Sequence, residues 1–177
     1  MTQFEITSEE VVVATGFLTT SKLLVRTPTG DELIRYVIRH PGAVAAVVWD
    51  GAEILLIRQY RSATDSWLLE LPAGKLDDTD TSPRDAIERE IVEELGCTVV
   101  DVSHVAGFFT APGFSDEYID VFEATVAENV GVAPDGAEEV FAEVVRMPLD
   151  DALFRIAAGE ISDAKTIIGL RTVEDRR

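Results

Sequence analysis

The segment from Gly74 to Gly96 constrains this chain more than any other, because it sets a helix with two chemically opposite sides directly after a glycine loop. Ser82 is a suitable N-cap, Pro83 fits the first helical position and Asp85 completes an S-x-x-D capping pattern, so a helix is expected to begin there. Gly96 is the expected stop. Between these ends Ile87, Ile91 and Leu95 recur every four residues as an apolar stripe. Glu90 and Glu94, also four apart, share a different face, with Glu93 beside them.

Acidic helices are ordinarily solvated surface. Here Glu93 and Glu94 fall in the last turn, where the helix dipole disfavours negative charge by about 0.3–1 kcal/mol each, and Glu90 and Glu94 form a like-charge i,i+4 pair. A bound divalent cation would relieve both penalties. Hard carboxylate oxygens favour magnesium, manganese or calcium, and magnesium normally leaves coordination positions open to phosphate oxygens.

The 177 residues suffice for one substantial core, read as a small N-terminal β-sheet element over residues 1–40 and a catalytic domain over 41–177. Hydrophobic residues make up 46%, yet no apolar run approaches a membrane span, and the first residues lack the basic start and apolar core of a signal peptide. A cytoplasmic protein is expected. The single cysteine, Cys97, precludes an internal disulfide and reads as a small packing residue. A net charge of −18 would repel nucleic acid and anionic lipid, so neither is an expected partner. Residues before Gly74 carry six Lys/Arg against nine Asp/Glu, a net of −3, leaving −15 for the remainder. A small phosphate substrate would thus meet Arg35, Arg39, Arg58 and Arg61 on one side and metal on the acidic helix on the other; the same acidic bias also serves solubility.

β-Branched runs predict strands around Glu10–Gly16, Lys22–Arg26 and Glu32–Arg39, with a turn at Thr29–Asp31. Ala43–Trp49 and Glu53–Arg58 flank Asp50-Gly51, a hairpin signal. Trp67–Leu71 is extended, and Val102–Thr110, Tyr118–Ala127 and Val140–Arg146 follow as strands. Two helices close the chain, from Leu149 to Ala158 and from Asp163 to about Val173 with Ser162 as N-cap. This order gives an α+β class with a mixed sheet. Trp49, Trp67 and His104 read as packing residues.

The stretch from Gly74 resembles the Nudix box, G-x5-E-x7-R-E-U-x-E-E-x-G-U with U a bulky aliphatic residue. Gly74, Arg89, Glu90, Ile91, Glu93, Glu94 and Gly96 match it; Cys97 departs at the last aliphatic position, and the loop is one residue longer. The early glutamate of the pattern falls on Asp80 when counted forward from Gly74 and on Thr81 when counted back from Arg89; neither is Glu, so no role is carried onto either. Arg58-Gln-Tyr-Arg61, Trp67-Leu-Leu-Glu-Leu-Pro-Ala-Gly-Lys-Leu-Asp77, Ala111-Pro-Gly-Phe-Ser-Asp-Glu117 and Gly159-Glu-Ile-Ser-Asp-Ala-Lys165 resemble the ADP-ribose pyrophosphatase, or ADP-sugar diphosphatase, branch of that family.

The resemblance implies a Nudix-type α/β/α sandwich and metal-dependent hydrolysis of ADP-ribose or a related ADP-sugar to AMP and a sugar phosphate. It implies magnesium, or manganese, on Glu90 and Glu94, with Glu93 assisting and the Ala73 carbonyl contributing. Arg89 would orient the box and Arg61 would hold a phosphate, for which its fork is suited. Arg35 would lie on the substrate side, Glu70 would reach the site or sit exposed at an edge, and Pro112, Gly113, Phe114 and Glu117 would line the sugar end. Glu138, preferred, or Glu139 would be the catalytic base. Adenine would stack on Phe4, Phe17 or Tyr36. A homodimer is implied, its N-terminal sheets reaching across to the partner. Three other readings compete: a Nudix hydrolase of GDP-mannose, NADH or a dinucleoside polyphosphate; a non-catalytic sensor of ADP-ribose; and a plain acidic metal-binding scaffold. The intact Glu90, Glu93 and Glu94 set argues against the sensor.

Overall fold

The computed structural model describes residues 3–129 and 141–177. By backbone contacts the chain divides into two compact units, Met1–Gly42 with Phe109–Tyr118, and Ala43–Phe108 with Ile119–Arg177.

The first unit is built on an antiparallel meander of β1 (Glu5–Thr15), β2 (Leu18–Arg26) and β3 (Glu32–Arg39). Gly16 turns the first hairpin with a φ of 55°, a conformation that favours glycine. Both early strands start sooner than their apolar runs predict, at Glu5 and Leu18. The ladder explains this, since backbone bonds and the Arg26–Glu5 pair at 3.0 Å extend the pairing through polar residues. Residues 111–117 close onto β3 within this unit. The Ile38 N–H donates to the Phe114 carbonyl at 2.7 Å, and Asp116 accepts from Arg39 and from the His40 N–H.

The second unit is organised by β4 (Ala43–Asp50), whose side chains are buried on both faces. Ala45, Val47 and Trp49 enter one core, and Val44, Ala46 and Val48 enter another. This is the pattern of a strand covered on each side, and alternation assigns successive residues to opposite layers. β5 (Glu53–Arg61) continues it, with Ile54 and Leu56 on the first side and Leu55 and Ile57 on the second. The predicted Asp50-Gly51 turn joins the two strands. β6 (Ser66–Glu70) pairs with β5, β7 (Ala73–Lys75) pairs with β4, and β8 (Cys97–Phe109), β9 (Tyr118–Asn129) and β10 (Glu143–Met147) complete a sheet of order β10-β5-β4-β9-β8. β9 runs parallel to β4, so the sheet is mixed as expected. Glu138 and Glu139 lie outside the described residues, as does Val140, the expected start of β10.

α1 (Pro83–Glu90) and the turn Ile91–Leu95 that continues it cover the second core with Ala86, Ile87, Ile91 and Leu95, while α2 (Leu149–Ala157) and α3 (Ala164–Glu174) cover the first. Each fully buried Ile or Leu here contributes about 1.5–3 kcal/mol of burial. The result is an α/β/α sandwich. α3 is capped by Asp163 rather than the expected Ser162, because the Asp163 carboxylate accepts the Thr166 N–H at 3.0 Å. Two expected packing residues pack at the surface rather than in the core, Trp67 against Tyr60 and His104 against Phe122. Trp67 is 45% exposed beneath the Arg58 guanidinium, and the half-exposed His104 bonds Asp120 at 2.8 Å. Trp49 is buried, with its indole N–H on Glu123, and Cys97 packs inside, where burial pushes its thiol pKa up. Among the described residues no helix is long and apolar enough to cross a membrane.

Gly169 lets α3 lie close to the sheet, since a Cβ there would meet Leu71 Cδ1 at 2.7 Å and Val121 Cγ1 at 3.2 Å. Gly169→Val is expected to lower the unfolding free energy by about 1–3 kcal/mol through overpacking. Urea midpoints measure this, and an unchanged midpoint would contradict the close approach.

Candidate active site

The acidic helix begins as the sequence predicts, with the Ser82 hydroxyl accepting the Asp85 N–H and Pro83 following. Its α-helical turns end at Glu90; Ile91–Leu95 continue as a wider π-type turn that stops at Gly96, where φ is 64°. Such turns change which side chains share a face and occur often at functional sites.

Arg89 is the hub of this helix. Its Nε and Nη2 grip Asp80 at 3.1 and 3.0 Å, and Nη1 reaches Glu90 at 2.7 Å and Glu93 at 2.9 Å. The bond from Arg89 holds the Asp80 carboxyl below its ordinary pKa, and the bond to Asp80 keeps the Arg89 guanidinium more firmly protonated than usual. The Thr81 hydroxyl pairs instead with the Asp85 carboxylate. Of the two counts through the longer loop, the forward one from Gly74 therefore lands on the residue that meets Arg89. A turn absorbs the added residue, with the Asp80 N–H on the Asp77 carbonyl and the Asp77 N–H on the Asp80 carboxylate.

Glu90 is buried and lies against the loop that carries Ala73 and Gly74. A Cβ on Gly74 would overlap its carboxylate, so this position needs a glycine for space. Glu94 reaches the same loop and accepts the Ala73 N–H at 2.9 Å.

A second charged group stands at the ends of β5 and β6. Glu70 is buried at 1% exposure, which rules out the edge-exposed alternative, and it accepts from Arg61 Nε and Nη2, both at 2.8 Å, and from Lys165. Burial would raise the Glu70 pKa, but the bond from Arg61 and the charges of Lys165 and Arg61 outweigh it and hold the carboxyl below its ordinary value. Arg61 is held protonated chiefly by its bond to Glu70, and Asp163 and Glu94 add to this at longer range, which ties the two groups together.

The second unit thus carries Arg61, Glu70, Ala73, Arg89, Glu90, Glu93 and Glu94. Arg35, Pro112, Gly113, Phe114 and Glu117 belong to the first unit. There Arg35 is exposed and donates to the Ile34 carbonyl, and Glu117 accepts from the Thr110 hydroxyl and stands 3.4 Å from His40. The candidate stacking residues Phe4, Phe17 and Tyr36 are each more than half exposed. Sequence reasoning did not single out Lys165, Asp163 or Thr166. The only signal was the place of Asp163 and Lys165 in a familiar stretch, with Thr166 just beyond it, since a lysine in a helix's first turn ordinarily reads as surface.

Among the described residues no three His, Cys, Asp or Glu side chains form a preformed metal cage. The donor set nevertheless fits a hard divalent cation. Glu90 and Glu93 already converge on one positively charged atom, Arg89 Nη1, and Gly74 keeps open the space in which the Glu90 carboxylate sits.

Residues 39–168 match the NUDIX domain family. The chain is 34% identical over 154 residues to an ADP-ribose pyrophosphatase of Bacillus subtilis (strain 168), covering 85% of this chain and 81% of that protein. It is 34% identical over 171 residues to an ADP-ribose pyrophosphatase of Mycobacterium tuberculosis (strain ATCC 25618 / H37Rv), covering 96% and 83% respectively. The fold matches a solved structure of an ADP compounds hydrolase with a TM-score of 0.85 at 21% identity, over 98% of this chain and 93% of that one.

Glu70→Gln is expected to lower stability at pH 7 by about 1–3 kcal/mol, as two cations lose a buried carboxylate. Because the folded pKa lies below the ordinary value, this stabilisation is full above the unfolded pKa of about 4.3 and is lost as pH falls through the folded value. Urea titrations at pH 7, 5 and 3 should show the gap between wild type and variant narrowing at the acid end. A gap independent of pH would remove Glu70 from the charged pairing.

Proposed function

We propose that this chain, which belongs to the Nudix family of hydrolases, cleaves the pyrophosphate bond of ADP-ribose or a closely related ADP-sugar, releasing AMP and a sugar phosphate. The observation that carries the reading is the convergence of Glu90 and Glu93 on one cationic atom, with Glu94 anchored to the adjoining Ala73 loop and Arg61 within electrostatic reach. The two ADP-ribose pyrophosphatases at 34% identity support the substrate class.

Glu90, Glu93 and Glu94, with the Ala73 carbonyl, would hold magnesium, for which manganese is the alternative. When bound, the metal supplies positive charge that offsets the phosphate oxygens and makes a water more acidic. The protein's own part is positional. Asp80 and the Lys75 carbonyl fix the Arg89 guanidinium, which in turn orients Glu90 and Glu93. Arg61 commits two of its five N–H donors to Glu70, and we assign the other three to a phosphate. Water attack at phosphorus needs a proton acceptor, a role we give to Glu138 ahead of Glu139. The protein works as a cytoplasmic homodimer in this reading. The exposed Ile6, Val11, Val12 and Val13 of β1 support cover by a second copy.

The deciding experiment is hydrolysis of ADP-ribose with and without magnesium, beside ADP-glucose, GDP-mannose, NADH and a dinucleoside polyphosphate. Metal-dependent AMP release, fastest from ADP-ribose, is expected. Preference for another compound would keep the chemistry and replace the substrate, while binding without turnover would sink the enzyme reading. Glu94→Gln should reduce turnover by at least about 100-fold, the scale of losing one contact that stabilises developing charge, with an unchanged melting temperature. Near-normal rates would take Glu94 out of the site. Gly74→Ala should separate activity from stability. The added methyl displaces only the end of the Glu90 side chain, so the melting curve stays near wild type while turnover falls about 10- to 100-fold. Equal losses in both would mean that the glycine serves the fold alone.

A further inference from the structure

Lys165 stands in the first turn of α3 with its side chain only 11% exposed, a burial that lysine rarely accepts without partners. Its Nζ meets the Glu70 carboxylate and lies 3.0 Å from Asp163 Oδ1. Glu70 is therefore shared between two cations, Lys165 and Arg61. A mere tie between α3 and the strand end does not require this lysine, since the Thr166 hydroxyl already accepts the Leu71 N–H at 2.8 Å and donates to Asp163.

What the lysine changes is the freedom of Arg61. If Arg61 were the sole partner of a buried carboxylate, it could not turn toward an anion without leaving that charge unpaired, and the carboxylate would cancel most of its attraction for the anion. A second cation on Glu70 removes this conflict. We propose that Lys165 is a positioning residue for Arg61: by sharing the Glu70 carboxylate it leaves the Arg61 guanidinium available to a phosphate of the substrate. This deepens the activity proposed above and rests on Arg61 meeting a phosphate there.

The test compares the full-length wild type with Lys165→Met, Lys165→Arg, Glu70→Gln and the double variant Lys165→Met/Glu70→Gln. It uses steady-state kinetics with ADP-ribose and calorimetric titration with inorganic pyrophosphate, both in magnesium. Lys165→Met should raise the KM for ADP-ribose and the Kd for pyrophosphate about tenfold while kcat stays within about twofold, a size typical of coupling inside one charged network. Lys165→Arg should restore binding. The double variant should bind pyrophosphate more tightly than Lys165→Met and within about twofold of Glu70→Gln alone, because an uncharged residue 70 no longer competes for Arg61.

Wild-type binding in Lys165→Met, a fall in kcat at constant KM, or a double variant no better than the single one would each overturn the proposal and leave a structural tie. Should Lys165→Met not fold, the double variant is compared with Glu70→Gln alone. Loss of the lysine should then change pyrophosphate binding less than about twofold, and a larger loss overturns the proposal. A wild type that binds pyrophosphate in the expected order of variants but does not turn over ADP-ribose sinks the substrate reading and keeps the role of Lys165.

Discussion

Burial of β4 on both faces is the constraint from which the rest of the catalytic unit follows. Val44 to Val48 are fully buried and alternate between two cores, so the strand needs a helical layer on each side. α1 supplies one layer, and α2 and α3 supply the other. The candidate site residues then hang from neighbours of that strand. β5, joined to β4 by the Asp50-Gly51 turn, carries Arg61 at its far end, and β7, paired to β4, carries Ala73 and Gly74. α1 and the turn after it are packed on the second core by the same Ile87–Ile91–Leu95 stripe that turns Glu90 toward the loop. Core packing and site geometry are therefore one problem here, since shifting the stripe would move the carboxylates.

Charge balance explains how so acidic a helix keeps its shape. Asp80, Glu90 and Glu93 all converge on Arg89, so three carboxylates share a cation fixed by two bonds to one of them. The grip on Asp80 has the more favourable geometry, because it engages two nitrogens, whereas Glu90 and Glu93 share the third. A divalent ion placed on Glu90 and Glu93 would draw on the weaker side of Arg89 and leave the Asp80 anchor in place.

Local patterns in the sequence were legible where one force governs them. The Ser82 cap, the Ile87–Ile91–Leu95 stripe, the Gly96 stop and the Asp50-Gly51 hairpin each depend on a few adjacent residues, and each is found. The misses arise where a distant partner decides. β1 reaches back to Glu5 because β2 pairs with it, and Asp163 caps α3 because its carboxylate, not that of a serine one residue earlier, meets the Thr166 N–H. Trp67 packs as expected, but against Tyr60 and beneath Arg58 at the surface, a placement that only its strand partner decides. Lys165 could not be told from a surface lysine, because Glu70 lies ninety-five residues away in sequence. The Nudix resemblance carried what periodicity could not, including the two-helix-layer architecture and the substrate class of the relatives.

Gly74 shows that a glycine can be required for space rather than for backbone freedom. A glycine before an acidic helix suggests a turn, and turns favour glycine through positive φ. Gly74 is not among the positive-φ glycines of this chain; it pairs with Val44 in a short strand, where a residue with a side chain would be acceptable on backbone grounds. What excludes the side chain is the Glu90 carboxylate, which fills the volume of the missing Cβ. The requirement at this position therefore comes from the helix, sixteen residues downstream, and not from the loop itself. The same holds for the acid that meets Arg89: its place is set by where the guanidinium ends, so a loop one residue longer satisfies it with aspartate at Asp80 through a local turn. Spacing in such a motif records distances between side chains, and a change in loop length is tolerated when the chain can bring a carboxylate to the same guanidinium.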